Sequence, residues 1–377
     1  MVGRTADWLS KVENGRIQLD RYSVMSNVAR ALDVSLRDLL GEPSLMRWTA
    51  DSGRSTVPAL RSVLMDYRQL TRLAAHQPLG DVRPLDALDV DVTAVWNAYQ
   101  DSRFGYVTHQ LVSLLPDLKV AAHEYERADK LRANGLLALT YQVAALTLTK
   151  LGEADLAWNA SDRGIEAAHR SGDPVVIGSL FRSVTHSLQS VGAYAEAVRM
   201  TDDAATFFEP HLSMPTPTML SVYGTLLLAG SMAAARADNR DTAHLYLSEA
   251  QETAVRLGAD ANHLWTAFGP TNVAIHRVST AMELGDVQVA IDIGPRIDTT
   301  TLPTERRVRH SLEVARAFST SNRRDDALNT LLAAEQLAPE QVRYHFLSRN
   351  LVQTWVRTQR GRPSWLLADL AQRLGAA

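Results

Sequence analysis

The chain has 377 residues, 46% of them hydrophobic, and a formal net charge of −3. That length and apolar fraction support two or three domains with real cores, and the near-neutral charge argues against nucleic-acid binding over the whole surface. There are no cysteines, which excludes disulfides and thiol-based metal sites or catalysis. With no obvious run of about 18 apolar residues and no secretory leader pattern, the expectation is a cytoplasmic protein without membrane attachment.

Residues 1–41 read as short helices sharing one apolar seam. Thr5 is suited to cap a helix, Asp7 suits the positive end of its dipole, and Gly15 is suited to stop it. Leu9 and Val12 share a face of this helix, whose polar side carries Thr5, Ala6, Asp7 and Lys11. Val24, Val28 and Leu32 follow at i, i+4, i+8, which predicts a second helix, and a third is expected from Ser35 with Leu36, Leu39 and Leu40 on its apolar side. The segment resembles the recognition half of the phage-repressor-like, xenobiotic-response-element family of helix-turn-helix regulators. Thr5, Leu9, Ser10, Val12, Glu13 and Gly15 fit that family's recognition-helix pattern, and Ala29, Ala31, Leu32, Val34, Ser35 and Leu39 fit its later pattern. The resemblance implies DNA binding, with Ala6, Asp7 and Lys11 at base edges and Thr5, Asn14 and Arg16 near phosphates. The family carries two further helices ahead of this one, where the chain has only Val2, Gly3 and Arg4, so a partial helix-turn-helix is expected. Either the start of the chain lies too late, or the domain no longer binds DNA. Six basic against five acidic residues in this segment make any DNA-binding face a matter of placement rather than bulk charge.

Residues 42–87 have the composition of a linker, with a short helix predicted from Pro58. From residue 88 to 377 the pattern is helical almost throughout, and a repeat runs through it. Turn residues recur at Gly152, Gly192, Asp238, Gly285, Asn322 and Gly361, at intervals of 40, 46, 47, 37 and 39 residues. Five positions after each stand Ala157, Ala197, Ala243, Ala290, Ala327 and, breaking the pattern, Leu366. An earlier helix pair is expected over about 90–127, turning at Phe104, Gly105 and Tyr106. The run Gly192-Ala-Tyr194-Ala-Glu196-Ala197, with Ala204, resembles the tetratricopeptide signature. The fold expected is all-α: a partial helix-turn-helix followed by a tetratricopeptide-like α-solenoid. A small residue at each crossing lets paired helices approach, and stacked pairs share a continuous core.

No phosphate loop, dinucleotide fingerprint, zinc motif or nucleophile elbow is present, so no catalytic residue, metal or cofactor is expected. Two routes lead to a candidate ligand surface. Trp265, Phe268, Asn272 and His276 lie close together in sequence, with Asn272 and His276 at i, i+4. Aromatic area beside an amide suits a ligand wall, although a core-edge histidine explains His276 equally well. The stretch also resembles segments of actinobacterial regulators of this architecture. Counting back from each turn, the inward positions are Gln142, Lys150, Arg182, His186, Gln189, Arg236, Asn272, Glu283, Arg309 and Arg316, a set with a basic excess that suits an acidic peptide or a C-terminal carboxylate. Arg182, His186, Trp265, Phe268, Asn272 and His276 are the ligand-binding candidates. The resulting expectation is a non-enzymatic DNA-binding regulator, a homodimer, whose array senses a peptide or small molecule or mediates dimerisation. The alternative is a repeat scaffold for a protein partner that has lost DNA binding.

Overall fold

The computed structural model describes residues 5–14, 16–17, 19, 21–34, 36, 39, 57–65, 81–359 and 361–376. Val2, Gly3, Arg4, Gly15, Ser35, Leu40 and, of the expected linker, residues 42–56 and 66–80 lie outside the described residues. Two helices come first, α1 (Ala6–Glu13) and α2 (Tyr22–Ala31), then α3 (Val57–Leu64). Seven antiparallel pairs follow. They are α4 (Leu85–Gln100) with α5 (Phe104–Glu124), α6 (Arg127–Lys150) with α7 (Ala154–Ser171), and α8 (Pro174–Ser190) with α9 (Tyr194–Phe208). Next are α10 (Pro217–Arg236) with α11 (Arg240–Leu257), α12 (Pro270–Leu284) with α13 (Val287–Ile293), and α14 (Thr304–Thr320) with α15 (Arg324–Leu337). A short α16 (Pro339–Tyr344) leads into the last pair, α17 (Phe346–Thr358) and α18 (Trp365–Leu374). Among the described residues there is no strand, only a single bridge between Ala261 and Phe268. The fold is an all-α stack of helical pairs.

The turns repeat one chemical device. Gly152, Gly192, Asp238, Gly285 and Asn322 all have positive φ, and Gly361 does too. At the first five, the next amide returns to a carbonyl in the last turn of the helix: Glu153 to Leu148 at 2.9 Å, Ala193 to Leu188 at 3.0 Å, Asn239 to Ala234 at 2.9 Å, Asp286 to Ala281 at 2.8 Å and Arg323 to Phe318 at 2.8 Å. This bond satisfies a carbonyl the helix end leaves orphaned, and it needs a left-handed residue that glycine, asparagine or aspartate adopts most readily. Ala157, Ala197, Ala243, Ala290 and Ala327 are fully buried at the crossings that follow. The first pair obeys the same rule at a different place from that expected. Its left-handed residue is Ser102, with Arg103 returning to Ala98 at 2.9 Å, while Phe104, Gly105 and Tyr106 begin α5.

Small residues also set the spacing between pairs. A Cβ on Gly224 of α10 would stand 1.9 Å from the Phe268 ring, so the ring occupies the notch the glycine leaves. α10 is apolar on all sides, and an 18-residue window within it has mean hydropathy 1.4, so a run of this kind does exist in the chain. It is 94% buried at the centre of the stack, as expected for a helix apolar all round. α3, in the stretch read as linker, belongs to the array's core. Leu60 and Leu64 are fully buried and Lys119 donates to the Val63 carbonyl at 3.2 Å.

The stack curls until its ends meet. Trp96 of α4 stacks on Trp265, with centroids 5.1 Å apart and 8° between planes. Ser102 donates to Gln341 at 2.6 Å, and the Gly105 amide donates to Glu340 at 3.2 Å. The interior is therefore a hollow that contacts between distant pairs partly enclose.

α2 inserts into one end of that hollow. Its buried face is Met25, Val28 and Ala29, with Ser23 and Ser26, rather than the expected Val24, Val28 and Leu32 stripe. Leu32 is 61% exposed. The helix is turned about its axis because its partner is the array: Ser26 and Leu36 approach the Gly192 turn and Arg21 approaches the Gly285 turn. By contrast α1 buries none of its residues.

Candidate functional site

The hollow has a volume of about 300 Å³. The carboxyl-terminal halves of the first helices of several pairs face it, because each first helix lies on the inside of the curl. Lys150, Arg182, His186, Gln189, Arg236 and Arg309 line it at positions that the turn count selects. Gln142, Glu283 and Arg316, selected by the same count, are instead buried in contacts between helices. Gln142 donates to the Ser179 carbonyl at 2.6 Å, and Arg316 pairs with Glu283 at 3.1 Å and Glu313 at 3.2 Å. A fully buried carboxylate such as Glu283 is raised by burial, but Arg316 and Arg236 outweigh that and hold it below its usual range.

Of the six ligand candidates, Arg182, His186, Trp265 and His276 line the hollow, and Phe268 and Asn272 do not. Phe268 is 0% exposed because its ring fills the Gly224 notch. Asn272 sits in the first turn of α12, fully buried, with neither side-chain amide atom hydrogen-bonded. It is not among the residues that line the hollow, where the sequence placed an amide clamp on a ligand. His276, one turn further on, reaches the wall while a ring nitrogen lies 2.9 Å from the Asn272 carbonyl oxygen.

Trp265 is placed by a contorted segment. Leu264, Trp265 and Ala267 all have φ near +50°, a conformation that costs non-glycine residues about 1–3 kcal/mol each and persists only when surroundings over-determine it. Here they do. Gln100 and Asn262 exchange amide hydrogen bonds at 3.0 and 2.8 Å. Gln100 also donates to the Trp265 carbonyl at 3.1 Å, and the Trp265 indole donates to Asn97 at 3.0 Å.

Tyr22 of α2 and Leu36 complete the wall. The Tyr22 amide donates to Glu283 at 3.2 Å, Arg236 lies over its ring at 4.3 Å, and Phe346 meets it edge-on at 6.1 Å. The N-terminal helix thus enters the site.

The electrostatics are cationic. Lys150, Arg182, Arg236, Arg306 and Arg309 face the hollow against one carboxylate, Glu305. Burial raises Glu305, but Lys150 at 2.5 Å and Arg306 override it and hold its carboxyl down at about 2. Burial, then Arg306, pushes His276 down to about 3. Burial, then Arg182, lowers His186, and burial, then Arg309, lowers His345. All three imidazoles are neutral at pH 7. Among the described residues, no three histidine or carboxylate side chains are grouped to hold a metal ion.

Several lining residues had no signal at the turns. Glu305 and Arg306 lie one turn beyond Arg309 along the inward stripe of α14, so the same count carried further reaches them. Tyr99, Gln100 and His345 arrive through closure of the curl, which no local spacing encodes.

The DNA candidates all lie at the exposed N-terminal helix. Thr5 caps it, accepting from the Trp8 amide at 3.2 Å, and Ala6, Asn14 and Arg16 are exposed. Asp7 and Lys11 pair with each other at 2.6 Å.

Helix pairs stacked around a basic, partly aromatic hollow define the class of structure as an α-solenoid with an internal cavity. No family model matches the chain, and no curated protein matches it. Among solved structures it is similar to BtubC (BKLC) from P. vanneervenii, with 14% identity over 74% of this chain and 95% of that chain and a TM-score of 0.40. A likeness of that degree says nothing about function.

Proposed function

We propose that the chain is a cytoplasmic, non-enzymatic transcriptional regulator of the xenobiotic-response-element type, acting as a homodimer, whose array senses a small effector. The observation that carries this reading is the position of Tyr22 and Leu36 in the cavity wall. They belong to the segment whose sequence resembles a helix-turn-helix, so a molecule entering the cavity touches that segment directly. An effector that favours one seating of α2 over another shifts its population by the difference in affinity. The peptide or small molecule expected from the sequence is narrowed by the hollow's volume to a small molecule or the last residues of a peptide.

In this reading α1 meets DNA, with Ala6, Asp7 and Lys11 at base edges and Thr5, Asn14 and Arg16 near phosphates. The test is selection from a random duplex pool by the full chain, followed by titration of the enriched sequence. Lys11→Ala changes base preference, and Arg16→Ala weakens binding evenly and lowers the salt slope by about one ion. Failure to enrich any sequence overturns the DNA-binding part. One observation favours a scaffold instead: α1 buries no residue, and its Asp7 and Lys11 satisfy each other. A scaffold shows no enriched duplex and no salt-dependent DNA affinity.

A further inference from the structure

We propose that Arg182 and Arg306 form an anion site inside the hollow, taking the carboxylate or phosphate of a small ligand whose apolar body lies against Tyr99, Leu146, Met232, Trp265 and Ile275. The inference rests on the sensing reading above and names the effector's chemistry.

The cations of the cavity are not equivalent. Lys150 is matched by Glu305 at 2.5 Å. Arg309 is matched by Glu313 at 2.8 Å. Arg236 donates to Gln189 at 3.0 Å, lies 3.7 Å from Glu283, and covers Tyr22. Arg182 and Arg306 are the least well matched. Arg182 is 6% exposed and makes no hydrogen bond or ion pair among the described residues. Among the described residues Arg306 pairs with Glu305 alone, its buried Nε 3.9 Å from that carboxylate and without a hydrogen bond. A guanidinium presents five N–H donors in a planar fork and remains charged at any physiological pH.

Removing such a group from water without an acceptor is costly, so a fold that keeps one buried and unpaired has a destabilised site. The two groups also repel. Burial, and next the charge of Arg306, pushes the Arg182 guanidinium down to about 10. A carboxylate or phosphate relieves both costs at once, because its oxygens accept from a guanidinium fork in two parallel bonds. One part of the wall, Tyr99, Leu146, Met232, Trp265 and Ile275, is apolar and aromatic, and about 300 Å³ admits a ligand body of modest size. The anion can come from a free small acid or from the C-terminus of a peptide, and the chemistry is the same.

The experiment is calorimetry on the full chain with four probes: 4-phenylbutyrate and its amide, and acetyl-Leu-Phe with a free carboxyl and as its C-terminal amide. Binding of either acid, with its amide at least about tenfold weaker, supports the site, and the acid that binds tighter identifies the source. Arg182→Met lowers acid affinity at least about tenfold, while Arg182→Lys retains part of it. Arg182→Met also raises Tm, by about 2 °C, since it removes a buried unpaired charge. A structural arginine gives the opposite sign. Equal binding of acids and amides, no acid binding at about millimolar concentration, or a lowered Tm in Arg182→Met overturns the proposal. No arm contains DNA, so this result and that of the duplex selection stand separately.

Discussion

Replacing Tyr22 by alanine tests whether α2 is held in the cavity by the contacts seen. The substitution removes the edge-on contact with Phe346 and the Arg236 guanidinium above the ring. It leaves the bond from the residue-22 amide to Glu283, since that donor is backbone. An edge-to-face aromatic pair contributes about 0.5–1.5 kcal/mol, and a partly desolvated cation–π contact about 1–2 kcal/mol. Together they make about 2 kcal/mol of docking energy, equivalent to about a thirtyfold change in the docked fraction. α2 buries only its own narrow face, so the loss appears as local opening rather than global unfolding. Hydrogen exchange read by peptide mass spectrometry therefore shows amides of α2 exchanging about thirtyfold faster in Tyr22→Ala, with α10 and α12 unchanged. Tyr22→Phe keeps the ring and stays near the wild-type rate. Unchanged exchange in α2, or equal acceleration throughout α10 and α12, refutes the picture of a separately docked helix.

Gly224→Ala places a methyl 1.9 Å from the Phe268 ring and costs about 3 kcal/mol by overpacking. Adding Phe268→Leu recovers part of that loss, and independent, additive thermal shifts would show that the ring does not occupy the notch. The three cavity imidazoles make folding acid-sensitive. Their folded pKa values lie below the ordinary value of about 6.5, with His276 at about 3. Below about pH 6.5 the unfolded chain binds protons the folded chain refuses, so their contribution is present above that pH and is lost as pH falls below it, toward 3 for His276. For His276 the loss reaches about 1–2 kcal/mol by pH 5, before most carboxylates titrate. Melting temperature falls between pH 7 and 5, and His276→Gln flattens the slope. A wild-type Tm constant over that range contradicts the burial assigned to these rings.

The repeat was legible because its punctuation is local. A left-handed turn residue and a small residue five positions later are each demanded by the geometry of one helical hairpin, so Gly192 and Ala197 announce themselves without reference to distant chain. Ser102 was hidden because serine is not a residue that advertises positive φ, and the nearby Gly105 drew the turn to itself. The cavity was half legible for the same reason. Arg182 and His186 sit at fixed distances from a local turn, whereas Tyr22, Tyr99 and His345 enter through contacts between segments far apart in sequence. Phe268 and Asn272 stand in a conspicuous motif with reversals at Leu264, Trp265 and Ala267, yet of its four candidates only Trp265 and His276 line the hollow.

Closure of the curl bears on how such a chain can change over generations. An open stack gains or loses a pair by tandem duplication or deletion, because each pair depends only on its neighbours. Here the first pair is keyed to the segment between the fourth and fifth pairs and to α16 through Trp96 with Trp265, Gln100 with Asn262 and Ser102 with Gln341. One pair more or fewer rotates those surfaces out of reach. It also strands the reciprocal amides and the contorted segment they secure. The number of pairs is thereby locked, and variation is left to the side chains that face inward and to the outer loops.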